Sequence, residues 1–590
     1  MSSFEGAEAV DRQRTMWTWW ATLTERPWLP SLALLALCAV VYLPGLVRLP
    51  PVDRTEIIWS ETTRAMVDRG DWTSPRFGDV VHQYRPIGTF WAQGAARWLA
   101  GPAHDRDITV YRIPSFLAVT LAVLALFWLA RGLVGAETAL IASALFAVAP
   151  LTVLVSQLAI AEGLSLLPAT VAMLALARIY TNEEEPIGTA LLFWVAVGIG
   201  ILINALLVPI LVLATLIALY VFDRELSWLK RLRPVLGVPI ALVLGAPWLL
   251  VRAHQDGVAF SGLSWREFLA ALGGAQDMKL RAFPGTFVLA LLLGFIPGTM
   301  LLGTAVKRFW AEREQQRLPR FLLAWVIGYL IYLEALSSKP GTYMVQTMFP
   351  ALALAVAMVV TSERGDGKQP EWSGFWIWPT ALAALPLAIF AAIYAFVGEL
   401  PGLVAMVLIA IIASLFIWTG QLGREGHLRR WAAVGVSALG LFGVTLLGVV
   451  LPSIDRIWPA QMIATAIAAC PKQDAVMIGY REPSGRFLLD IPPDRQTPDA
   501  LAERFAANTP TLSIVEDRWA KRTNWALQSK SQERLAQPTG CVSAYNVMRG
   551  CPLYFRIYSP NPAEPCTMPA AFSCSEKTAP IGFEKSGDCD

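Results

Sequence analysis

The chain has 590 residues, of which 55% are hydrophobic and 16% charged, and its formal net charge is +3. This composition is typical of a membrane protein with several spans, and the small net charge gives no indication of nucleic-acid binding. The histidines are too scattered to indicate a metal site: His82, His104, His254 and His427. We therefore expect a polytopic α-helical membrane protein without a metal or another cofactor.

Apolar segments long enough to cross about 30 Å of hydrocarbon follow one another from residue 29 onward. We count about thirteen, at 29–49, 110–131, 136–156, 163–181, 188–204, 205–222, 234–251, 284–305, 320–337, 343–361, 374–398, 401–419 and 431–452. The stretch 188–222 allows two interpretations: two short spans that turn near Asn204, or one long tilted helix with a shorter partner.

The distribution of basic residues predicts the orientation of these spans. Residues 1–28 carry several arginines, and no small-residue cleavage site follows the first apolar run, so we expect an uncleaved anchor with a cytoplasmic N-terminus. With thirteen spans, the basic clusters near 224–233, 307–320 and 424–430 lie in the cytoplasm. The membrane domain then covers 29–452, and both its first polar loop (50–109) and a C-terminal domain (453–590) are exported.

Cysteines give an independent indication that the C-terminal domain is exported. Six of them follow the last apolar span: Cys470, Cys541, Cys551, Cys566, Cys574 and Cys589. We expect three disulfides and an oxidising compartment. A zinc site is the alternative, but no CxxC pair is present. In this domain 475–480 and 511–516 predict strands and 497–507 a helix, whereas the chain after Gly540 reads as a disulfide-stapled extension without a large core.

The first exported loop contains the longest polar stretch that is placed against the membrane. Within it, Thr55 is a candidate N-cap of a helix that runs to Arg69, with Gly70 just beyond its C-terminus. The apolar residues of this helix predict a face that lies on the membrane surface: Ile57, Ile58, Met66 and Val67. Acidic residues and arginines both occur along the loop, which suits either a site of chemistry or a solvated surface loop.

Several segments resemble a known family of enzymes. The run PPVDRTEIIWSETTRAM, followed by GDW and YRPIGTFWAQ, resembles the first exported loop of GT-C type glycosyltransferases that use lipid-linked sugars. Bacterial lipid A aminoarabinose transferases and protein O-mannosyltransferases are the members it is most similar to. RIPS at 112–115, LEALSSKPGTY at 333–343 and GYREPS at 479–484 match in place as well. The resemblance covers almost the whole chain and agrees with thirteen spans.

The resemblance implies a bacterial inner-membrane enzyme with its C-terminal domain in the periplasm. Such an enzyme moves a sugar from a polyprenyl-phosphate carrier to an acceptor on the exported side, which is lipid A, another envelope glycolipid or a protein. The partners to expect are therefore membrane lipids, the lipid-linked sugar and that acceptor. A role as a subunit of a membrane complex is also compatible with this fold.

Carboxylates are the candidate catalytic groups, because a hydroxyl acceptor needs a base or an orienting acid within hydrogen-bond reach. The family pattern has an Asp immediately before Glu56, and this sequence has Thr55 there. The remaining candidates are Asp53, Glu56 and Glu162. Each has a structural alternative: Asp53 as a cap or ion-pair partner, Glu56 as a complement to the helix N-terminus, and Glu162 as an ion-pair partner of a loop arginine.

Cations are needed for the phosphate of the carrier, since its negative charge grows as the glycosyl bond breaks. Arg85 replaces the lysine of the family's KKP motif and retains its charge. The other candidates for contact with the lipid phosphate are Lys339, Arg112 and Arg281. No metal is expected at the site.

Two other functions remain open from sequence. In the first, the chain has lost transfer chemistry and acts as a lipid-binding or assembly subunit with a GT-C fold, and Thr55 is the residue that distinguishes this alternative from an active enzyme. A transporter is the third possibility, which the large exported loop and the stapled tail disfavour.

Overall fold

The computed structural model describes residues 26–574 apart from 53, 78–79, 82–85, 246–282, 336–340, most of 363–401, 560–567 and short gaps elsewhere. Helices make up the part of the described chain before residue 453. They are α1 (Trp28–Arg48), α2 (Thr55–Arg69), α3 (Gly88–Ala100), α4 (Ile108–Val134), α5 (Ala136–Val148), α6 (Pro150–Ser156), α7 (Ala161–Thr181), α8 (Ile187–Ile203), α9 (Leu207–Asp223), α10 (Pro234–Gly245), α11 (Thr286–Gly294), α12 (Thr299–Glu312), α13 (Arg317–Ala335), α14 (Phe349–Ser362), α15 (Leu403–Arg424) and α16 (Leu428–Thr445).

The prediction of a multi-pass helical membrane protein is confirmed. The described residues contain 7 helices that are long and apolar enough to cross a membrane, or up to 9 if each of two bent helix pairs forms one span. Three shorter apolar helices, α8, α9 and α10, correspond to further predicted spans. Of the thirteen predicted spans, the one at 374–398 lies largely outside the described residues.

Two predicted spans are broken rather than continuous. The first bends by 65° between α5 and α6, and the second by 112° between α11 and α12. Pro150 is the first residue of α6, and a proline disfavours helical geometry at the residue before it, here Ala149. Pro297 lies in the second break. Between α8 and α9 the chain turns at Asn204, so the first of the two interpretations of 188–222 is correct.

The C-terminal domain is built on one mixed sheet. A two-stranded ribbon of β1 (Arg76–Phe77) and β2 (Val80–Val81) lies in the first loop and is not part of this sheet. The strands of the C-terminal sheet are β3 (Ala475–Ile478), β4 (Leu512–Glu516), β5 (Gly540–Asn546) and β6 (Cys551–Tyr558), and their order is β3-β4-β6-β5. Its helices are α17 (Pro459–Ala466), α18 (Pro483–Leu489), α19 (Pro498–Ala506) and α20 (Ala520–Ser529). β3 and β4 are parallel and the other two pairings antiparallel. The strands and the helix predicted before Glu516 are confirmed.

The described chain after Gly540 shares the core of the C-terminal domain, whereas the sequence predicted a disulfide-stapled extension without a large core of its own. Strands β5 and β6 pair with each other and β6 with β4, and their inward residues fill the domain core together with β3 and β4. The alternation of buried Val542 and Ala544 on β5 is the period of a half-buried strand. Cys541 and Cys574 form a disulfide, and Cys470 and Cys551 are also disulfide-bonded.

The helix predicted in the first loop is present, with two differences. It begins at Thr55 itself, so the flanking residue is Arg54, whose side chain makes no cap hydrogen bond. It ends as predicted, because Gly70 has the left-handed φ of 67° that glycine adopts without steric cost. Its apolar face is buried in protein instead of lying on a membrane surface, since Ile57 and Met66 are fully buried and Ile57 packs with Tyr111 and Phe487.

Candidate active site

Glu56 is buried in the first turn of α2 and accepts four hydrogen bonds. Its Oε1 accepts from Nε of Arg112 at 2.7 Å and from the backbone N of Ala159 at 2.8 Å. Its Oε2 accepts from Nη2 of Arg112 at 2.7 Å and from the backbone N of Val52 at 3.0 Å. An ionised carboxylate offers about four acceptor positions. The carboxylate of Glu56 is therefore fully occupied by the protein.

The hydrogen-bond donors of the Arg112 side chain are likewise all occupied by protein. Besides the two bonds to Glu56, its Nη1 donates to the carbonyl oxygens of Leu49 at 2.6 Å and Leu46 at 3.3 Å, and its Nη2 to that of Pro50 at 3.0 Å. A guanidinium has five N–H donors, and each has an acceptor here. Because the side chain is fully buried, this geometry argues against the predicted contact of Arg112 with a lipid phosphate. The ion pair joins the end of α1, the first loop and α4.

The peptide of Ala159 is held from both sides by the first loop. Its N–H donates to Glu56, and its carbonyl accepts from Nε2 of Gln93 at 3.0 Å. Oγ1 of Thr63 donates to Oε1 of Gln93 at 2.8 Å. Ala159 lies in the short break between α6 and α7. Residues of two separate motifs of the first loop therefore fix the chain where α7 begins.

The RIPS segment supports the same break from α4. Oγ of Ser115 donates to the carbonyl oxygen of Ile160 at 3.4 Å. Gly163 lies so close to α4 that an added Cβ would meet Cβ of Ser115 at 3.0 Å and the carbonyl oxygen of Val155 at 2.7 Å. Close backbone approach therefore requires glycine at this position. The first turn of α7 is consequently held rigidly against α4.

Glu162 lies in that first turn, three residues after the clamped peptide. It is half-buried, and its backbone carbonyl accepts from Nε2 of the buried Gln346 at 3.2 Å. Tyr343 lies within electrostatic range of both Glu56 and Glu162. The first loop, the start of α7 and the segment before α14 thus meet around these two carboxylates.

An apolar cavity of about 330 Å³ adjoins this region. Both broken spans contribute to its wall, with Leu151 and Val153 from α6 and Leu293 from α11, and Thr342, the neighbour of Tyr343, is among its few polar residues. The breaks between paired helices therefore open an apolar space next to the candidate site. Its lining suits a hydrocarbon chain better than a sugar.

Four predicted site residues lie outside the described residues: Asp53, Arg85, Arg281 and Lys339. The described chain that follows Arg281 in sequence contacts the described chain that precedes Lys339. Glu334, shortly before Lys339 in sequence, accepts hydrogen bonds from the backbone N of Gly285 at 3.0 Å and of Phe287 at 2.8 Å, shortly after Arg281 in sequence.

Sequence reasoning missed a set of charged contacts between the first loop and the C-terminal domain. Arg54 binds Glu482 with two hydrogen bonds of 2.9 and 3.1 Å. Glu61, which is fully buried, binds Arg64 within its own helix and Arg486 of α18 at 2.9 Å. Arg106 contacts Asp490 at 2.6 Å. Only the GYREPS segment, which contains Glu482, gave a sequence signal that this region matters.

Comparison with known proteins agrees with the resemblance drawn from the sequence. Residues 84–251 match the family described as dolichyl-phosphate-mannose-protein mannosyltransferase. The undecaprenyl phosphate-alpha-4-amino-4-deoxy-L-arabinose arabinosyl transferase of Erwinia tasmaniensis is 26% identical over 427 residues, which cover 69% of this chain and 74% of that protein. The enzyme of the same name from Aeromonas hydrophila is 26% identical over 445 residues, covering 74% and 73%.

Solved structures show the same fold. The crystal structure of ArnT from Cupriavidus metallidurans bound to undecaprenyl phosphate superposes with a TM-score of 0.68 at 17% identity, covering 91% of this chain and 99% of that one. Its apo state gives a TM-score of 0.67 over 91% and 98%. The chain is accordingly a multi-pass membrane protein with the fold of ArnT, and its sequence is similar to glycosyltransferases that use a polyprenyl-phosphate carrier. This ArnT-like fold is the one that the first-loop motifs predicted.

Proposed function

We propose that this protein transfers a sugar from a polyprenyl-phosphate carrier to an acceptor at the exported face of the bacterial inner membrane. The acceptor is lipid A, another envelope glycolipid or a protein. The observation that carries this proposal is the convergence of the first-loop motifs on Ala159 and of the RIPS segment on Ile160, which holds the start of α7 and thus the backbone of Glu162 in a fixed place. A half-buried carboxylate on a rigid element suits the orientation of an acceptor group.

Glu162 is the described residue best placed to orient an acceptor hydroxyl or to take its proton. It belongs to the first turn of α7 and therefore lies beside the positive end of that helix dipole. Asp53, two residues before the start of α2, is the second candidate for this role. The acceptor proton passes to one of these carboxylates as the acceptor oxygen attacks the sugar and the carrier phosphate leaves.

Glu56 and Arg112 act as a positioning pair in this proposal. With all their hydrogen-bonding groups occupied by protein, they neither accept a proton nor bind the carrier. Their function is to join α1, α2 and α4 to the start of α7. Arg112 is therefore not among the residues that we propose to contact the carrier phosphate. Arg85, Lys339 and Arg281 remain the candidates for that contact. The apolar cavity at the two broken spans would take part of the isoprenoid chain.

Replacing Arg85 with alanine should weaken binding of polyprenyl phosphate by about 1–3 kcal/mol, because a charge-assisted hydrogen bond to phosphate is lost. The measurement is the amount of lipid that the purified protein retains, by mass spectrometry. Arg76→Ala is the matched control, since Arg76 is an exposed arginine of the same loop. Equal retention in Arg85→Ala and wild type would remove Arg85 from the phosphate site.

The domain arrangement included in this proposal is a membrane domain at 29–452 and a periplasmic domain at 453–590. Cysteine labelling in cells should reach residues near 75 and after 453 from the exported side, and residues near 230 and 313 from the cytoplasm, because the basic loops remain inside. Labelling of the C-terminal domain from the cytoplasm would contradict the thirteen-span topology.

A second candidate function rests on Thr55, which stands where the resembling enzymes have an Asp. In this alternative the chain binds the carrier lipid or assembles with other envelope proteins and transfers nothing. It predicts that amide substitutions at Asp53 and Glu162 leave envelope glycosylation unchanged. The two functions are thus separated by one measurement of transfer.

A further inference from the structure

Charged contacts connect the first loop to the C-terminal domain in the described part of the chain, and we name the three shortest together the loop clasp. They are Arg54 with Glu482, Glu61 with Arg486 and Arg106 with Asp490. Two of the carboxylates are almost completely buried, since the side chains of Glu482 and Glu61 are 3% and 0% exposed. Buried ion pairs of good geometry hold orientation even where their net stabilisation is small. The loop clasp therefore fixes one domain against the other.

Arg54 has an unusual backbone conformation. Its φ of 63° and ψ of −75° are those of the central residue of a strained γ-turn, which residues other than glycine rarely adopt. Such conformations persist only where the surrounding structure holds them. Glu482 supplies this restraint, because its carboxylate binds the guanidinium of Arg54 through two hydrogen bonds. Asn546 of β5 in turn donates to Glu482 at 3.2 Å.

The strained residue directly precedes α2, the helix that carries Glu56. It follows Asp53, and its carbonyl accepts the N–H of Ile58 in the first turn of that helix. Two residues later Glu56 begins the network that reaches Ala159 and α7. A change of φ at Arg54 would therefore shift the first turn of α2 and, with it, Glu56.

We propose that Glu482 of the C-terminal domain is a positioning residue for sugar transfer: it holds Arg54 in its strained conformation and so sets the place of Glu56 and, through Ala159, of the first turn of α7 that carries Glu162. The C-terminal domain thereby completes the active site without contacting the reacting atoms. The packing of Ile57 with Phe487 of α18 supports the same alignment. This inference rests on the proposed transfer function.

Glu482→Gln should lower kcat for transfer about 10- to 100-fold and leave retention of polyprenyl phosphate unchanged, because misplacement of a site by about 1 Å costs up to roughly that factor. Asp517→Asn is the matched control. It breaks the exposed ion pair of Asp517 with Arg556 in the same domain and should leave kcat unchanged. A kcat of Glu482→Gln equal to that of wild type, or a loss of lipid retention as large as the loss of kcat, would overturn the proposal.

A second comparison concerns the backbone of Arg54 alone. Arg54→Gly and Arg54→Ala remove the same ion pair, but glycine adopts a positive φ without steric cost and alanine does not. Arg54→Gly should therefore transfer sugar at least about 3-fold faster than Arg54→Ala. Equal rates, or a faster alanine variant, would show that the strained conformation has no role.

Hydrogen exchange separates failure of this inference from failure of the proposed function, because it requires no transfer activity. Amides of the first turn of α2 should exchange at least about 10-fold faster in Glu482→Gln than in wild type and in Asp517→Asn. Unchanged exchange would contradict the loop clasp even if the enzyme is active. Faster exchange in a protein without measurable transfer would support the loop clasp and reject the transfer function.

Discussion

Replacing Arg112 with methionine is expected to lower the free energy of unfolding by about 3–5 kcal/mol, the largest effect on stability that we predict. The substitution leaves the carboxylate of Glu56 buried with only two backbone N–H partners, Val52 and Ala159. It also leaves the carbonyl groups of Leu46, Leu49 and Pro50 without their donor. Thermal unfolding in detergent, compared with wild type, measures the loss.

Arg131→Met is the matched control for this prediction. Arg131 lies on the same helix, but it is exposed and stacks on Trp128 at 4.0 Å. Its loss should cost about 0.5–1 kcal/mol, the magnitude of an exposed cation–π contact. Removing both charges in Glu56→Gln with Arg112→Met should cost less than the two single substitutions together. Equal stability of Arg112→Met and Arg131→Met would show that the buried pair does not hold the fold.

Replacing Glu162 with glutamine should lower the rate of sugar transfer about 10²-fold or more, because the amide neither takes a proton nor orients the acceptor as a carboxylate does. Retention of polyprenyl phosphate should be unchanged, since we propose that Arg85, Lys339 and Arg281 bind the carrier phosphate. The readouts are initial transfer rate and co-purified lipid. A parallel loss of both would make Glu162 a residue of folding or of carrier binding.

The control for Glu162→Gln is Glu183→Gln. Glu183 follows the other end of α7 and is largely exposed, and we expect no change in transfer or in stability. A comparable loss in both variants would trace the effect to the helix as a whole instead of the site.

Features that depend on neighbouring residues were predictable from the sequence. Helix α2 ends where Gly70 allows a left-handed residue, and β3 and β4 follow from short runs of buried apolar residues. The apolar spans were predictable because hydrocarbon requires long apolar helices. The breaks at Ala149 and near Pro297 were not, because apolar composition continues through both of them.

Features that join distant parts of the chain were not predictable. Glu56 and Ala159 are 103 residues apart, and Arg54 and Glu482 are 428 apart. No local pattern specifies such pairs, so Glu56 was predicted as catalytic and Arg112 as a phosphate ligand from their charge and from the family resemblance. The folded chain instead pairs them with each other. Their burial, which sequence does not give, is the reason why we propose a positioning role for both.

The measurement that tests the transfer function most directly is an assay with the purified protein, mixed polyprenyl-phosphate sugars and extracted envelope acceptors. Wild type should form a glycosylated product that depends on both the carrier and the protein, and Glu162→Gln should form it at about one hundredth of that rate or less. Product at the background of protein-free samples, in wild type as well as in the Asp53→Asn, Glu56→Gln and Glu162→Gln variants, would contradict the enzymatic function.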